Sequence, residues 1–298
     1  MVWRSTWPEH LCLARSANGL PMLASTSIFC WNARGLNDRA RRNVVRTFIQ
    51  IHRPLVVCIQ ETKLSSVCNV LANDILGPAF DYDCLPSVGT AGGILVGWAR
   101  EIWRPVAPAV RGRYMLSVSL GLVSATTGAW CFTGVYGPQD DDGKVQFLDE
   151  LLQFGRSLSL PWLIGGDFNM IHRAQDKNND RLDRRSMRRF RAFIDRAQLD
   201  ELVLQGHRFT WSNGQGWPTL ELLDRFFATD GWMTAFPQHV LKPLSSDCSD
   251  HCPLLLQLQA LGPPKRRFRF ETFWVKCKGF EEVVAHAWAS MLDDVDPF

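Results

Sequence analysis

Residues 27–60 constrain the fold of this chain more than any other stretch. "SIFCWNA" (27–33) is a short apolar, aromatic and β-branched run, the composition of a strand. "DRARRNVVRTFIQIH" (38–52) then sets Val44, Val45, Phe48, Ile49 and His52 at helical spacing, behind Asp38 as an N-cap. Pro54 ends that helix, because the residue before a proline is biased out of the helical region. "LVVCIQ" (55–60) follows as a buried strand. A chain that opens strand, helix, strand belongs to a mixed α/β class.

The remaining pattern extends that reading. "GGILVGW" (92–98) and "WCFTGVYG" (130–137) read as strands, and "YMLSVSLGLV" (114–123) alternates polar with apolar residues, as a half-exposed antiparallel strand does. Helices are expected over 144–158, where Phe147, Leu148, Leu151, Leu152 and Phe154 lie near one face, and over 186–198, where Met187, Phe190, Ile194 and Ala197 mark one side. "PWLIGGDFN" (161–169) is a strand running into a glycine break, and strands are expected at 207–213, 220–228, 239–244 and 252–258.

With 298 residues, 46% of them hydrophobic and 21% charged, the chain can fill a globular core and lies outside the disordered class. No apolar run reaches the roughly 20 residues of a membrane span. Residues 1–26 lack the succession of a secretory signal and are expected to form a poorly ordered leader. "LGPPKRR" (261–267) reads as a linker. "FEEVVAHAWASML" (280–292) reads as a helix without a partner, so 261–298 is expected to lead toward a missing C-terminal region. Nine cysteines without a CxxC pair point to reduced thiols and an intracellular setting, nucleus or cytoplasm. Cys248, His251 and Cys252 lack a second ligand pair at a zinc spacing.

Polar residues recur where strands end: Asn32, Glu61, Tyr136, Asp167, Asn169, Asp224, and Asp250 with His251. Each alone has an ordinary explanation as a turn former, loop acid, helix cap or edge aromatic. Together they converge where loops meet above a rigid sheet. A carboxylate such as Glu61 suits Mg²⁺. A histidine beside an acid suits proton transfer or charge stabilisation, and Asn and Tyr offer neutral donors to phosphate. No Ser or Cys has a nucleophile's setting, which favours metal-assisted attack by water. The net charge of +3 is unevenly spread: "RLDRRSMRRFRAFIDR" carries Arg184, Arg185 and Arg188 among others, and "PKRRFRF" adds a second cluster. Such clusters fit a phosphate backbone or a solvated helix face.

The ordered series "WNARGL", "IQET", "VYGP", "GGDFN", "LDRFF" and "SDHCP" resembles the motifs of the endonuclease/exonuclease/phosphatase family over about 27–260. The resemblance implies a four-layer α/β sandwich of two packed mixed β-sheets flanked by helices. It implies that Glu61 binds Mg²⁺ (or Mn²⁺), with Asn32 next to it and Asp250 on the metal side. Asp167 would activate the attacking water, Asn169 would hold the phosphate, and Tyr136 would contact the phosphate or leaving oxygen. His251, held by Asp224, would stabilise the scissile phosphate, and the product would be a nick with a 3′-hydroxyl. One position departs from the abasic endonucleases of the family: Arg34 stands where they place an acid or amide. Either a contact behind the metal ligands is missing there, or Arg34 meets phosphate.

"WNARGLN", "QETKL", "HRFTWSN", "LDRFFAT" and "RFRFETFW" resemble plant LINE-type retrotransposon endonucleases most. That implies DNA as substrate, a reverse transcriptase region of the same polyprotein as partner, and a monomer away from membranes. Arg34, Arg184, Arg185, Arg188 and Trp211 are the expected DNA contacts. An abasic-site repair endonuclease and a decayed nucleic-acid-binding module remain open as alternatives.

Overall fold

The computed structural model describes residues 13–15, 21–23, 25–89, 91–125, 128–259 and 279–282. The chain divides into two units, Met1–Leu261 and Gly262–Phe298. In the second unit only a turn at Gly279 and helical residues 280–282 are described. The linker expected at 261–267, the rest of the helix expected at 280–292 and most of the 1–26 leader lie outside the described residues.

The first unit runs β1 (Leu13–Arg15), β2 (Pro21–Leu23), β3 (Ser25–Asn32), α1 (Arg39–His52), β4 (Val56–Gln60), α2 (Asn69–Ile75), β5 (Phe80–Val88) and β6 (Ala91–Ala99). Next come β7 (Trp103–Pro105), β8 (Val110–Arg111), β9 (Met115–Leu122), β10 (Trp130–Tyr136), α3 (Asp141–Ser157), β11 (Trp162–Asp167) and α4 (Arg184–Arg196). It closes with β12 (Leu199–Glu201), β13 (Trp211–Ser212), β14 (Leu220–Glu221), β15 (Asp224–Thr229), α5 (Asp230–Ala235), β16 (His239–Pro243) and β17 (Leu254–Gln259).

Two mixed sheets result. One has six strands in the order β16-β17-β3-β4-β6-β5; the other has seven, in the order β12-β15-β11-β10-β9-β7 with β8 on β9. Each holds one parallel pair, β3 with β4 and β10 with β11, crossed over by α1 and α3 respectively. The sheets face each other across one core, where Ile28, Cys58 and Val96 meet Val118, Phe132, Leu163 and Phe226. Phe29, Val57 and Leu95 face outward under α1 and α2, and Phe147, Leu151 and Phe190 cover the other sheet. This is the four-layer α/β sandwich. Its helices start where the chain supplies acids: Asp38 accepts from Ala40 N, Asp140 from Gly143 N, and Asp183 from Arg185 N and Ser186 N.

Three local expectations change. β9 is antiparallel but almost wholly buried rather than half exposed. Its serines sit on the helix-covered face, where the Ser117 and Thr133 hydroxyls bond at 2.7 Å. The strand expected over 220–228 breaks in two, because Leu223 packs with Ile171 and Met187 while Phe226 enters the inter-sheet core. The strand expected over 207–213 shrinks to Trp211–Ser212, in a two-stranded ribbon with β14.

Candidate active site

Sheet register assembles the site. Tyr136, Asp167 and Asp224 are partners along one rung across β10, β11 and β15, and Asn32 pairs with Gln60, one residue before Glu61. Asn32, Glu61, Tyr136 and Asp167 lie at strand C-termini, as expected. Asp224 begins β15, and Asp250 and His251 precede β17; both strands run antiparallel to their neighbours, which returns their starts to the same end. The end of the sandwich, rather than the C-terminal end of every strand, is therefore the common feature.

At its centre is a buried chain of four side chains. Asp224 Oδ2 lies 2.8 Å from His251 Nδ1, and His251 Nε2 lies 3.8 Å from Asp167 Oδ2. Asn32 Nδ2 donates to Asp167 Oδ2 at 2.9 Å and lies 3.5 Å from His251 Nε2. Backbone anchors hold each member. Thr210 Oγ1 accepts from Leu223 N and Asp224 N at 3.1 and 3.0 Å. Ser249 Oγ donates to Asn32 O at 2.8 Å and accepts from His251 N at 3.1 Å, which ties the two loops. Trp31 Nε1 donates to His251 O at 3.0 Å. Asn169 N donates to Asp167 Oδ1 at 2.9 Å, and its side-chain Nδ2 to Gly137 O at 2.7 Å. The glycine break before Asp167 has a steric cause: Gly166 sits at φ 147°, and a Cβ there would collide with Val135 O.

This arrangement sets the charges. Burial pushes Asp167 up to about 6, helped by Asp224 and opposed by His251 and the Asn169 N–H. Burial disfavours the His251 imidazolium, but Asp224 and Asp167 outweigh it and raise its pKa to about 9. At neutral pH His251 is thus a cation whose Nδ1–H is held by Asp224. Burial, with the Glu61 and Asp167 charges, raises the Tyr136 hydroxyl well above its ordinary range, so it remains a neutral donor.

The rim is ionic. Lys63 Nζ lies 3.0 Å from Glu61 Oε1, and Arg34 Nη1 pairs with Asp250 Oδ2. Trp211 Nε1 donates to the same Asp250 oxygen at 2.9 Å, while Asp250 Oδ1 is buried without a partner. Arg34, Glu61, Lys63 and Asn169 all hold left-handed backbone, with φ between 49° and 55°. Non-glycine residues pay for that conformation, and four of the six described residues that hold it stand around this site.

Two groups of residues bear on metal binding. Asp167, Asp224 and His251 present ligand atoms within 4.8 Å of one another. Yet His251 Nδ1 lies 2.8 Å from Asp224 Oδ2, so this ring nitrogen and this carboxylate oxygen already serve each other. Glu61 and the partnerless Asp250 Oδ1 offer the oxygens that a hard cation takes. The residues present therefore fit a Mg²⁺-type ion on the Glu61 and Asp250 side.

The outer residues divide. Arg184, Arg185 and Arg188 are exposed on α4. Trp211 is half-buried against Ile171, Met187 and Leu223, with its ring 6.5 Å from that of His251. It props the site, and the fully presented tryptophan nearby in sequence is Trp217, at 96% exposure. Sequence reasoning missed Lys63, Thr210 and Ser249. Lys63 and Ser249 stood two residues from Glu61 and His251, the one available signal.

The sequence profile of the Endonuclease/Exonuclease/phosphatase family matches residues 29–251. No curated protein matches the chain. Among solved structures, the AP endonuclease LMAP from Leishmania major aligns with a TM-score of 0.62 at 17% identity, over 80% of this chain and 88% of that one. The 3′-5′ exonuclease NExo from Neisseria meningitidis aligns at 0.59 and 17%, over 79% and 100%. The endonuclease domain of TRAS1, a telomere-specific non-LTR retrotransposon, aligns at 0.58 and 10%, over 79% and 98%. At these identities the likeness is one of fold.

Proposed function

The chain belongs to the endonuclease/exonuclease/phosphatase family, and from that premise we propose that it is a metal-dependent phosphodiesterase that nicks DNA to leave a 3′-hydroxyl. The observation that carries the reading is the buried Asp224–His251–Asp167–Asn32 chain. Asp167, poised at about 6, takes the proton of an attacking water near neutral pH. As the water oxygen bonds to phosphorus, the bond to the 3′-oxygen breaks, which leaves a 5′-phosphate. The His251 imidazolium, oriented by Asp224, donates to a non-bridging phosphate oxygen whose charge grows in the transition state. Asn169 positions the phosphate, and the Tyr136 hydroxyl donates to the leaving oxygen. Glu61, Asn32 and Asp250 would hold the ion, which would supply charge neutralisation and Lewis acidity.

The exposed Arg184, Arg185 and Arg188, together with Arg34 and the ring edge of Trp211, form the DNA-contacting rim. The wording of the motifs supports a retroelement origin, with a reverse transcriptase region as partner. Supercoiled plasmid with Mg²⁺ should relax to nicked circles that a polymerase extends, and EDTA should stop the reaction. Linear products only, or nicking in EDTA, contradicts the reading. Cleavage of an abasic-site duplex far faster than intact duplex would move the assignment to repair.

A further inference from the structure

Both carboxylates on the metal side are already held by cations of the chain itself. Lys63 Nζ stands 3.0 Å from Glu61 Oε1, and Arg34 Nη1 pairs with Asp250 Oδ2. The two cations come from loops joined by two backbone bonds and one side-chain bond. Ala33 N donates to Gln60 O at 3.2 Å, Leu36 N to Thr62 O at 2.8 Å, and Asn37 Nδ2 to Lys63 O at 3.1 Å. The Lys63 stem crosses Gly35, where an added Cβ would lie 3.4 Å from its Cδ. The backbones are therefore fixed while the charged heads ride on long side chains.

Exposure is unequal within each pair. The side chains of Arg34 and Lys63 are 47% and 32% exposed, those of Asp250 and Glu61 22% and 10%. The acids are set into the site, and the cations sit on its rim. A sheltered carboxylate left alone is unfavourable, whereas a rim cation can turn to water or to another anion. A phosphate backbone offers these cations a substitute partner, and a divalent ion offers one to the carboxylates. Either ligand alone leaves a set of charges facing its own sign.

We propose that Lys63 and Arg34 are placeholder cations that neutralise Glu61 and Asp250 until a nucleic-acid phosphate backbone draws them outward, so that metal and DNA bind cooperatively. This rests on the assignment of Glu61 and Asp250 to the metal. Linkage makes the effect reciprocal: whatever factor DNA adds to metal affinity, metal adds to DNA affinity.

The test is Mn²⁺ binding, read from the electron paramagnetic resonance signal of the free ion, with and without a phosphorothioate duplex. The wild-type affinity should rise roughly tenfold or more with duplex. The double variant Lys63→Gln/Arg34→Asn should bind Mn²⁺ about tenfold more tightly without duplex, and the dependence on duplex should shrink to about twofold. Asn suits the left-handed backbone at position 34. Lys63→Gln alone should gain part of the effect, and Lys63→Arg none. Arg113 lines the same groove as Glu61 but donates to Gln146 at 2.8 Å, so Arg113→Gln controls for a general loss of positive charge and should change neither affinity. A double variant that binds no more tightly without duplex, or a control that gains as much, overturns the proposal. If that failure comes while Glu61→Gln still abolishes binding, the metal assignment stands and only the placeholder role falls. Wild-type binding by Glu61→Gln overturns both.

Discussion

The His251–Asp224 contact is where a single residue makes the sharpest statement. The folded pKa of about 9 lies above the ordinary 6.5, so folding favours the protonated ring. That contribution is fully present below about 6.5 and is lost as pH rises through about 9. Urea unfolding at pH 6, 7.5 and 9 should show wild type losing stability across this window, and Asp224→Asn losing much less. Parallel curves would remove the pairing. Asp224→Ala should also slow nicking by about a hundredfold, the scale of a misoriented acid–base partner. Nothing in the residues alone gave the pairing of residues 27 positions apart; it was implied by the family resemblance that "LDRFF" and "SDHCP" help to carry. Lys63 was not, because nothing in "QETKL" says that a left-handed turn at Glu61 brings the ammonium back onto its carboxylate.

At the level of elements, β15 serves two faces. Asp224 points into the site, and Arg225, one residue on, is buried on the opposite face between Asp176 and Glu201. Burial opposes the Glu201 charge, but the His172 hydrogen bond with Arg225 and Arg173 holds its pKa down to about 2. This stabilisation is present above the ordinary carboxylate range, near 4.5, and is lost as pH falls through about 2. Glu201→Ala removes one of the two carboxylates that hold the buried Arg225 guanidinium, leaving Asp176, and should cost about 1–3 kcal/mol in denaturant unfolding. A cost under about 1 kcal/mol would mean that Arg225 is not held as described. Apolar periodicity located β3, α1, β4, β10, α3, β11 and β17. It overlooked β5, which is half-exposed, and it merged β14 with β15, since an unbroken apolar run does not record that its residues enter two different cores.

For the whole molecule, the sandwich brings the starts and ends of distant strands to one end, and α4 presents Arg184, Arg185 and Arg188 to solvent. The pattern of strands and helices carried only the mixed α/β class; the two packed sheets flanked by helices were implied by the resemblance of the ordered motifs, and the structure has them. Among the described residues no helix is long and apolar enough to cross a membrane. If the α4 arginines meet DNA phosphate, replacing Arg184, Arg185 and Arg188 with Gln should weaken binding uniformly across sequences. The slope of log affinity against log salt should fall by about one for each phosphate that no longer has an arginine beside it. An unchanged slope would return α4 to the role of a solvated face.

The central claim, that buried Asp167 takes the proton while the His251 imidazolium meets the phosphate, is tested most directly by the pH profile of single-turnover plasmid nicking. Wild type should rise with pH through about 6 as Asp167 ionises, and fall through about 9 as His251 loses its proton. Asp167→Asn keeps the size of the side chain and should lower the plateau by at least about a hundredfold while erasing the acid limb. An Asp167→Asn enzyme within a few-fold of wild type, with the same acid limb, would contradict the account.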